Sequence, residues 1–280
     1  MDFLLGNLLV AGYLRRVNAL RMLGRMPLDF IAYLGGVGSL AGATGESLVR
    51  GRRRWRVVIA QIAEIGYRSQ PVVIITGAFT GAVLAAQALF QFSALNMETA
   101  GGALVSVAML RELGPTITAL MLAGRVGAAM AAEIGTMKVT EQIDALRSMD
   151  VHPIDFLVAP RLLAMLVSMP LLIAESAAFG IVASFIVGVY AFDVTEAYWL
   201  ANMQKFTVLS DIFIAMVKGL VFGVLTVMIS CHQGLSTTNG AVGVGRATTR
   251  AMVYSSLAIL ISNFFLTLLM NVFFPSGGTR

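Results

Sequence analysis

The sequence predicts an all-α membrane protein: an N-terminal interfacial helix followed by five membrane-spanning helices. Three observations carry this. Of 280 residues, 58% are hydrophobic and only 12% charged, against about 25% charged in a soluble domain. Mean hydropathy is +0.83. The apolar residues are gathered into runs long enough for the roughly 20 residues that a bilayer core requires.

The first region, 1–54, mixes apolar residues with Arg15, Arg16, Arg21 and Arg25. Its apolar run from Phe30 to Ala43 contains four glycines and is too short to span. It is expected to lie in the interface as helix, arginines toward the headgroups. Asp2 stands where a signal peptide carries positive charge, and no small-residue cleavage site follows the first apolar stretch, so no signal peptide is expected. A basic run, Arg50, Arg52, Arg53, Arg54 and Arg56, closes the region. Placed just before a span, it fixes that end on the cytoplasmic side and does not point to nucleic acid.

The second region, 55–280, holds the spans. The first is expected over 71–95 with a helical lead-in from Trp55, the second over 103–132, the third over 156–190, the fourth over 212–231 and the fifth over 251–274. Loops on one side carry Arg50 to Arg56, Lys138, Arg147, Arg246 and Arg250, and loops on the other carry Glu98, Asp193, Glu196 and Lys205. The basic side is expected to be cytoplasmic, which places the N-terminus inside and the C-terminus outside. Tyr190, Tyr198 and Trp199 suit the outer aromatic belt. Gly77 with Gly81, and Gly219 with Gly223, form G-x-x-x-G pairs that favour close helix contact and weakly favour a dimer.

Charges inside the runs are costly and face protein or water. Arg111 and Glu112 are adjacent, so they do not face each other on a helix. Each is expected to pair elsewhere, a second subunit included, either as a packing lock or in the transport path. Pro115 removes a backbone donor and is expected to kink the second span. Lys218 either snorkels or pairs with Glu175. His152 reads as a turn residue, and His232 and the single cysteine, Cys231, as packing residues without metal-ligand spacing.

Between spans two and three, Val139, Ile143 and Leu146 recur at helical spacing, with Lys138, Glu141, Gln142, Asp144 and Arg147 on the other faces and Thr140 as a candidate cap. Such a helix serves either the membrane surface or a groove on a soluble partner. No phosphate loop, nucleophile elbow or zinc signature occurs, so no ATP hydrolysis, catalytic residue, metal or cofactor is expected in this chain. No internal repeat of the secondary-transporter kind is visible.

Leu110 to Pro115, Ala123 to Gly127, Ala132 to Gly135, Thr140 to Leu146, Arg246 to Arg250 and Ser255 to Ala258 together resemble the MlaE/YrbE permease family, from about Trp55 to the C-terminus. The resemblance implies a homodimeric permease of an ABC transporter in the bacterial inner membrane. Its implied partners are a cytoplasmic ABC ATPase that binds the ATP, a periplasmic MCE-domain protein and, in some systems, a STAS-type protein. The implied activity is movement of phospholipids or related lipids between inner and outer membranes, in support of outer-membrane asymmetry. A lipid cavity then involves Leu84, Phe92, Leu95, Arg111 and Glu112. The helix after span two becomes a cytoplasmic coupling helix, with Glu133, Lys138, Glu141, Asp144 and Arg147 toward the ATPase. The alternative is a stand-alone secondary transporter or channel for a small solute, which would show ion-coupled flux with no ATPase.

Overall fold

The computed structural model describes residues 28, 30–49, 55–93 and 100–274. All regular structure among them is helical. Lipid offers no partner for backbone groups, so each spanning segment must satisfy its own, and the helix does this.

Five helical stretches are long and apolar enough to cross a membrane: Trp55–Ser93, Gly101–Val139, Ile154–Ala191, Leu209–Leu235 and Gly240–Phe273. Each begins before its apolar run, the first by its lead-in from Trp55. At 1.5 Å per residue a 39-residue segment would be about 58 Å long, against a hydrocarbon core of about 30 Å. The polar ends remain helical outside the core. Span one breaks into a lead-in Trp55–Ile65, a tight 3-10 turn Tyr67–Ser69 and the long helix Gln70–Ser93. Span two is interrupted by two π-helical turns, Met109–Leu113 and Ala123–Gly127.

Alternation puts Trp55, Val139, Ile154, Leu235 and Gly240 at one end of the bundle, called here the basic end, and Ser93, Gly101, Ala191, Leu209 and Phe273 at the far end. The short helix Gln142–Ser148 lies at the basic end. A further helix, Glu196–Phe206, crosses the far end between spans three and four. The helix over 30–49 rests Tyr33 edge-on against His232, with centroids 5.1 Å apart, and against Tyr254 at 5.2 Å. It leaves Phe30, Ile31 and Leu34 exposed. The expected arginines at 15, 16, 21, 25 and 50–54 lie outside the described residues.

Span three is the centre, with 72% of its apolar window buried, and span five is the periphery, with 6%. Small residues explain the first figure. Gly77 and Gly81 of span one face Ser176 and Gly180 of span three, and Gly219 and Gly223 of span four face Pro170, Ile173, Met165 and Met169. Both G-x-x-x-G pairs are therefore used inside the subunit, and neither supplies the dimer contact they were read to favour. Span five turns Leu257, Ile261, Phe264, Phe265 and Leu268 away from the bundle.

The main core includes Leu122, Ile134, Met165, Met169, Ile173 and Phe222. A second, smaller cluster at the far end gathers Leu89, Val105, Met109 and Trp199. Trp199 is fully buried. It sits in a socket where Gly101, Gly102 and Gly188 leave room for the indole. It is thus a core residue and not part of an aromatic belt; Tyr190 and Tyr198 are exposed as that belt requires.

Candidate functional site

Four charged side chains in the membrane interior, Arg111, Asp211, Glu112 and Lys218, form one group whose formal charges cancel, and each of the four is partnered within the chain. Arg111 Nε donates to Asp211 Oδ1 at 2.6 Å. Its Nη1 donates to Asn271 Oδ1 at 3.1 Å and to the Phe274 carbonyl at 3.3 Å. The second oxygen of Asp211 accepts the Val208 backbone N–H at 3.0 Å, closing the start of span four. Lys218, fully buried, spends all three ammonium protons: on the Arg111 carbonyl at 2.6 Å, on Glu112 Oε1 at 2.9 Å and on Thr267 Oγ1 at 2.9 Å. Thr267 in turn donates to Glu112 Oε1 at 2.8 Å, and Asn263 Nδ2 to Glu112 Oε2 at 3.0 Å.

Local sequence explains why this knot forms here. Pro115 has no N–H, so the carbonyl four residues earlier, that of Arg111, loses its helical donor. Lys218 supplies it. The π-helical turn Met109–Leu113 ends as Gly114 N–H bonds back to Met109 O, which absorbs the irregularity that Pro115 introduces. An extra residue in that turn lets adjacent side chains diverge. Arg111 reaches spans four and five near the far end, while Glu112 reaches them deeper. Arg111 and Glu112 thus each pair elsewhere, as expected, with partners inside the chain, and Lys218 is matched to Glu112, not to Glu175. Glu175 is half-buried in span three.

Asp211, Asn263, Thr267 and Asn271 were not singled out from the sequence. Asn263 and Thr267 are four residues apart on span five and so share a face; that polar pair in an apolar run was the available signal. Of the other proposed cavity residues, Leu84 is half-buried against the far-end cluster. Phe92 is half-buried at the far end of span one, and Leu95 lies outside the described residues.

At the basic end, Glu133 binds Arg161 of span three at 2.8 Å, and Arg161 also donates to the Leu157 carbonyl at 2.7 Å. The turn after Val139 brings Lys138 against Asp144, six residues on. Glu141 makes the corner with φ 61°, a left-handed conformation that costs a non-glycine residue about 1 kcal/mol. Thr140 does not cap the following helix; its hydroxyl donates to the Thr136 carbonyl at 2.8 Å and so belongs to span two. In Gln142–Ser148, Ile143 is fully buried and Leu146 packs on the main core. The apolar stripe thus anchors the helix to its own bundle. The outward side carries charge among the exposed Gln142, Ala145 and Ser148: Glu141 and Arg147 are exposed, and Asp144 is clamped by Lys138 at 3.1 Å and Arg147 at 3.0 Å.

The hydrogen bond from Lys138, helped by the charges of Lys138 and Arg147, holds the Asp144 carboxyl below its ordinary value of 3.8. A lowered folded value means that the clamp is in full force above the ordinary value and is lost as pH falls through the lowered one. The group is exposed and surface pairs are weak. With the intrinsic pH dependence of exchange divided out, amide protection in 142–148 is therefore expected to fall below about pH 4, while protection in the spans is unchanged.

Comparison with known proteins matches this arrangement to one group. A family model described as Permease MlaE covers residues 58–269. A probable ABC transporter permease of Rickettsia conorii is 40% identical over 89% of this chain and 96% of its own length. A probable ABC transporter permease of Synechocystis is 42% identical over 82% of this chain and 88% of its own. The intermembrane phospholipid transport system permease protein MlaE of Haemophilus influenzae is 34% identical over 91% of this chain and 98% of its own. The matched segment contains the five spans from Val58 on, the charged knot up to Thr267 and the helix after span two, so this multi-pass membrane protein belongs to the MlaE family of ABC transporter permeases.

Proposed function

We propose that this chain is the inner-membrane subunit through which an ABC transporter moves phospholipids or related lipids between inner and outer membranes. The observation that carries the ABC reading is the helix Gln142–Ser148. Its apolar side is spent on its own core, and its outward side is a fixed set of opposite charges, Glu141, Asp144 and Arg147, with Lys138 behind them. Mixed charge suits a protein surface better than an anionic lipid surface, which favours an excess of Lys and Arg. The basic end is then cytoplasmic, with the N-terminus inside and the C-terminus outside, and the helix docks on an ATPase that binds the ATP. This chain carries no cofactor and no catalytic group of its own.

Lipid as cargo rests on the name of the Haemophilus influenzae relative and on the chemistry of the spans. The apolar face of span five and the exposed apolar residues of span one offer wall area for acyl chains or for a second copy of the chain. Dimerisation through these faces creates the cavity, with Leu84, Phe92 and Leu95 toward the acyl chains and the Arg111–Glu112 knot at its base. A periplasmic MCE-domain protein, with a STAS-type protein on the ATPase in some systems, completes the assembly and supports outer-membrane asymmetry.

The test is a charge reversal at the exposed corner. Glu141→Lys is expected to lower co-purification of the ATPase about tenfold, the effect of losing one interfacial charge pair of about 1.4 kcal/mol, with the permease itself still folded. Full ATPase association and lipid-stimulated hydrolysis in that variant would remove the docking assignment. Ion-coupled solute flux from the purified chain alone would favour a secondary transporter instead.

A further inference from the structure

A cleft of about 80 Å³ lies between the lead-in of span one and the second half of span two, lined by Gln61, Glu64, Ile65, Arg125, Val126 and Glu133 among others. Its carboxylates are already matched. Glu64 pairs with Arg68 at 2.7 Å, and Glu133 with Arg161 at 2.8 Å. Arg125 is not. It is exposed, it donates through Nη1 to the hydroxyl of Ser69, and among the described residues no carboxylate lies within ion-pair distance of it. A guanidinium has five N–H donors in a fixed fork, so most of its capacity opens into the cleft.

The level of this cation in the bundle is informative. Ser69 lies two residues before the apolar run that begins at Pro71, and Arg125 follows about 20 residues of span two that begin at Ala103, enough to fill the hydrocarbon core. Both therefore stand at the boundary between apolar and polar membrane, at the basic end. The π-helical turn Ala123–Gly127 carries Arg125. Such turns displace the helix surface where they occur. On the membrane-centre side of Ser69, Val72, Ile75 and Phe79 of span one are exposed at helical spacing, and Met121 of span two, one turn before Arg125, is exposed as well.

We infer that this cleft binds the phosphodiester of a membrane phospholipid, with Arg125 as its anion ligand and Val72, Ile75 and Phe79 along its acyl chain. A free phosphate would use the same cation but has no use for the apolar track, and a partner carboxylate would not need it either. The site is separate from the Arg111–Glu112 knot, which lies toward the far end. Only the statement that this leaflet is the cytoplasmic one rests on the orientation proposed above; the binding itself does not rest on transport.

The experiment reads bound lipid, not transport, so it stands or fails independently of the function proposed above. The full chain is placed in nanodiscs containing phosphatidylglycerol with a photoreactive headgroup, and crosslinks are mapped to peptides covering 61–69 and 123–133. Labelling is expected in wild type, to fall about tenfold in Arg125→Gln, the loss of one charge-assisted pair, and to be largely kept in Arg125→Lys. Glu64→Gln removes a negative charge and frees Arg68, so labelling is expected to rise. Millimolar inorganic phosphate should leave labelling unchanged. Unchanged labelling in a folded Arg125→Gln protein would overturn the assignment. If that variant fails to fold, absence of a rise in Glu64→Gln would overturn it equally. Displacement by inorganic phosphate would make the cleft a free-anion site and overturn the lipid assignment.

Discussion

Lys218→Met is expected to destabilise the protein by about 3 kcal/mol, the cost of breaking a buried ion pair from one side. The magnitude follows from what Lys218 holds. Interhelical hydrogen bonds in membranes average about 0.6 kcal/mol each, so the three bonds of the ammonium account for only about 2 kcal/mol between them. The remainder is the Glu112 carboxylate, left with Thr267 and Asn263 but no cation. Two of the three bonds are also hard to replace: the Arg111 carbonyl was orphaned by Pro115, and Thr267 sits on span five, which has few other buried ties to the bundle. A second substitution separates charge from hydrogen bonding. Glu112→Gln in the Lys218→Met background removes the unpaired charge and is expected to recover about 1 kcal/mol, with Glu112→Gln alone milder than Lys218→Met. Thermal denaturation of the four proteins in one detergent gives the coupling energy. Additive effects would show that Lys218 and Glu112 do not act as a pair. The same series reports on mechanism, since a knot that ties spans two, four and five must be kept or rearranged whenever those spans move relative to one another.

The sequence made the spans legible because long apolar runs have one stable outcome in lipid, and all five appear in the expected order. Charged residues within runs were also visible, and Arg111, Glu112 and Lys218 all proved to be in the knot. Partner choice was not visible. It depends on which face of span four meets span two, and on a π-helical turn whose only advance sign was Pro115. Trp199 shows a different limit. Its place at the end of a run suggested the interface, but three glycines distant in sequence form a socket that only the packed far end reveals. The helix after span two was legible as amphipathic, yet the pattern gives a stripe without saying what covers it. Ile143 and Leu146 turned inward, and the charges became the surface. The G-x-x-x-G pairs carry the same ambiguity: they announce close contact and leave the partner open.

That ambiguity sets the second large effect. Gly81→Leu is expected to destabilise the protein by about 3 kcal/mol and Gly81→Ala by about 1 to 2 kcal/mol. A Cβ on Gly81 would overlap the Gly180 carbonyl, and one on Gly77 would meet the Ser176 carbonyl, so span one cannot sit at its present distance from span three with side chains there. The obstacle is backbone, which cannot rotate away as a side-chain tip can. Alanine would otherwise gain about 1 kcal/mol of helix propensity over glycine, so a net loss measures the clash directly. Gly38 and Gly45 provide the control. Nothing lies within 4 Å of a Cβ at either position, and alanine there is expected to be neutral or stabilising in the same melting assay. If these glycines instead served contact between two subunits, Gly81→Leu would leave the melting of the monomer unchanged and lower only the dimer fraction on size exclusion. Loss of monomer stability with the Gly38→Ala control unaffected would place the contact inside the subunit, where span three needs it to reach its central position.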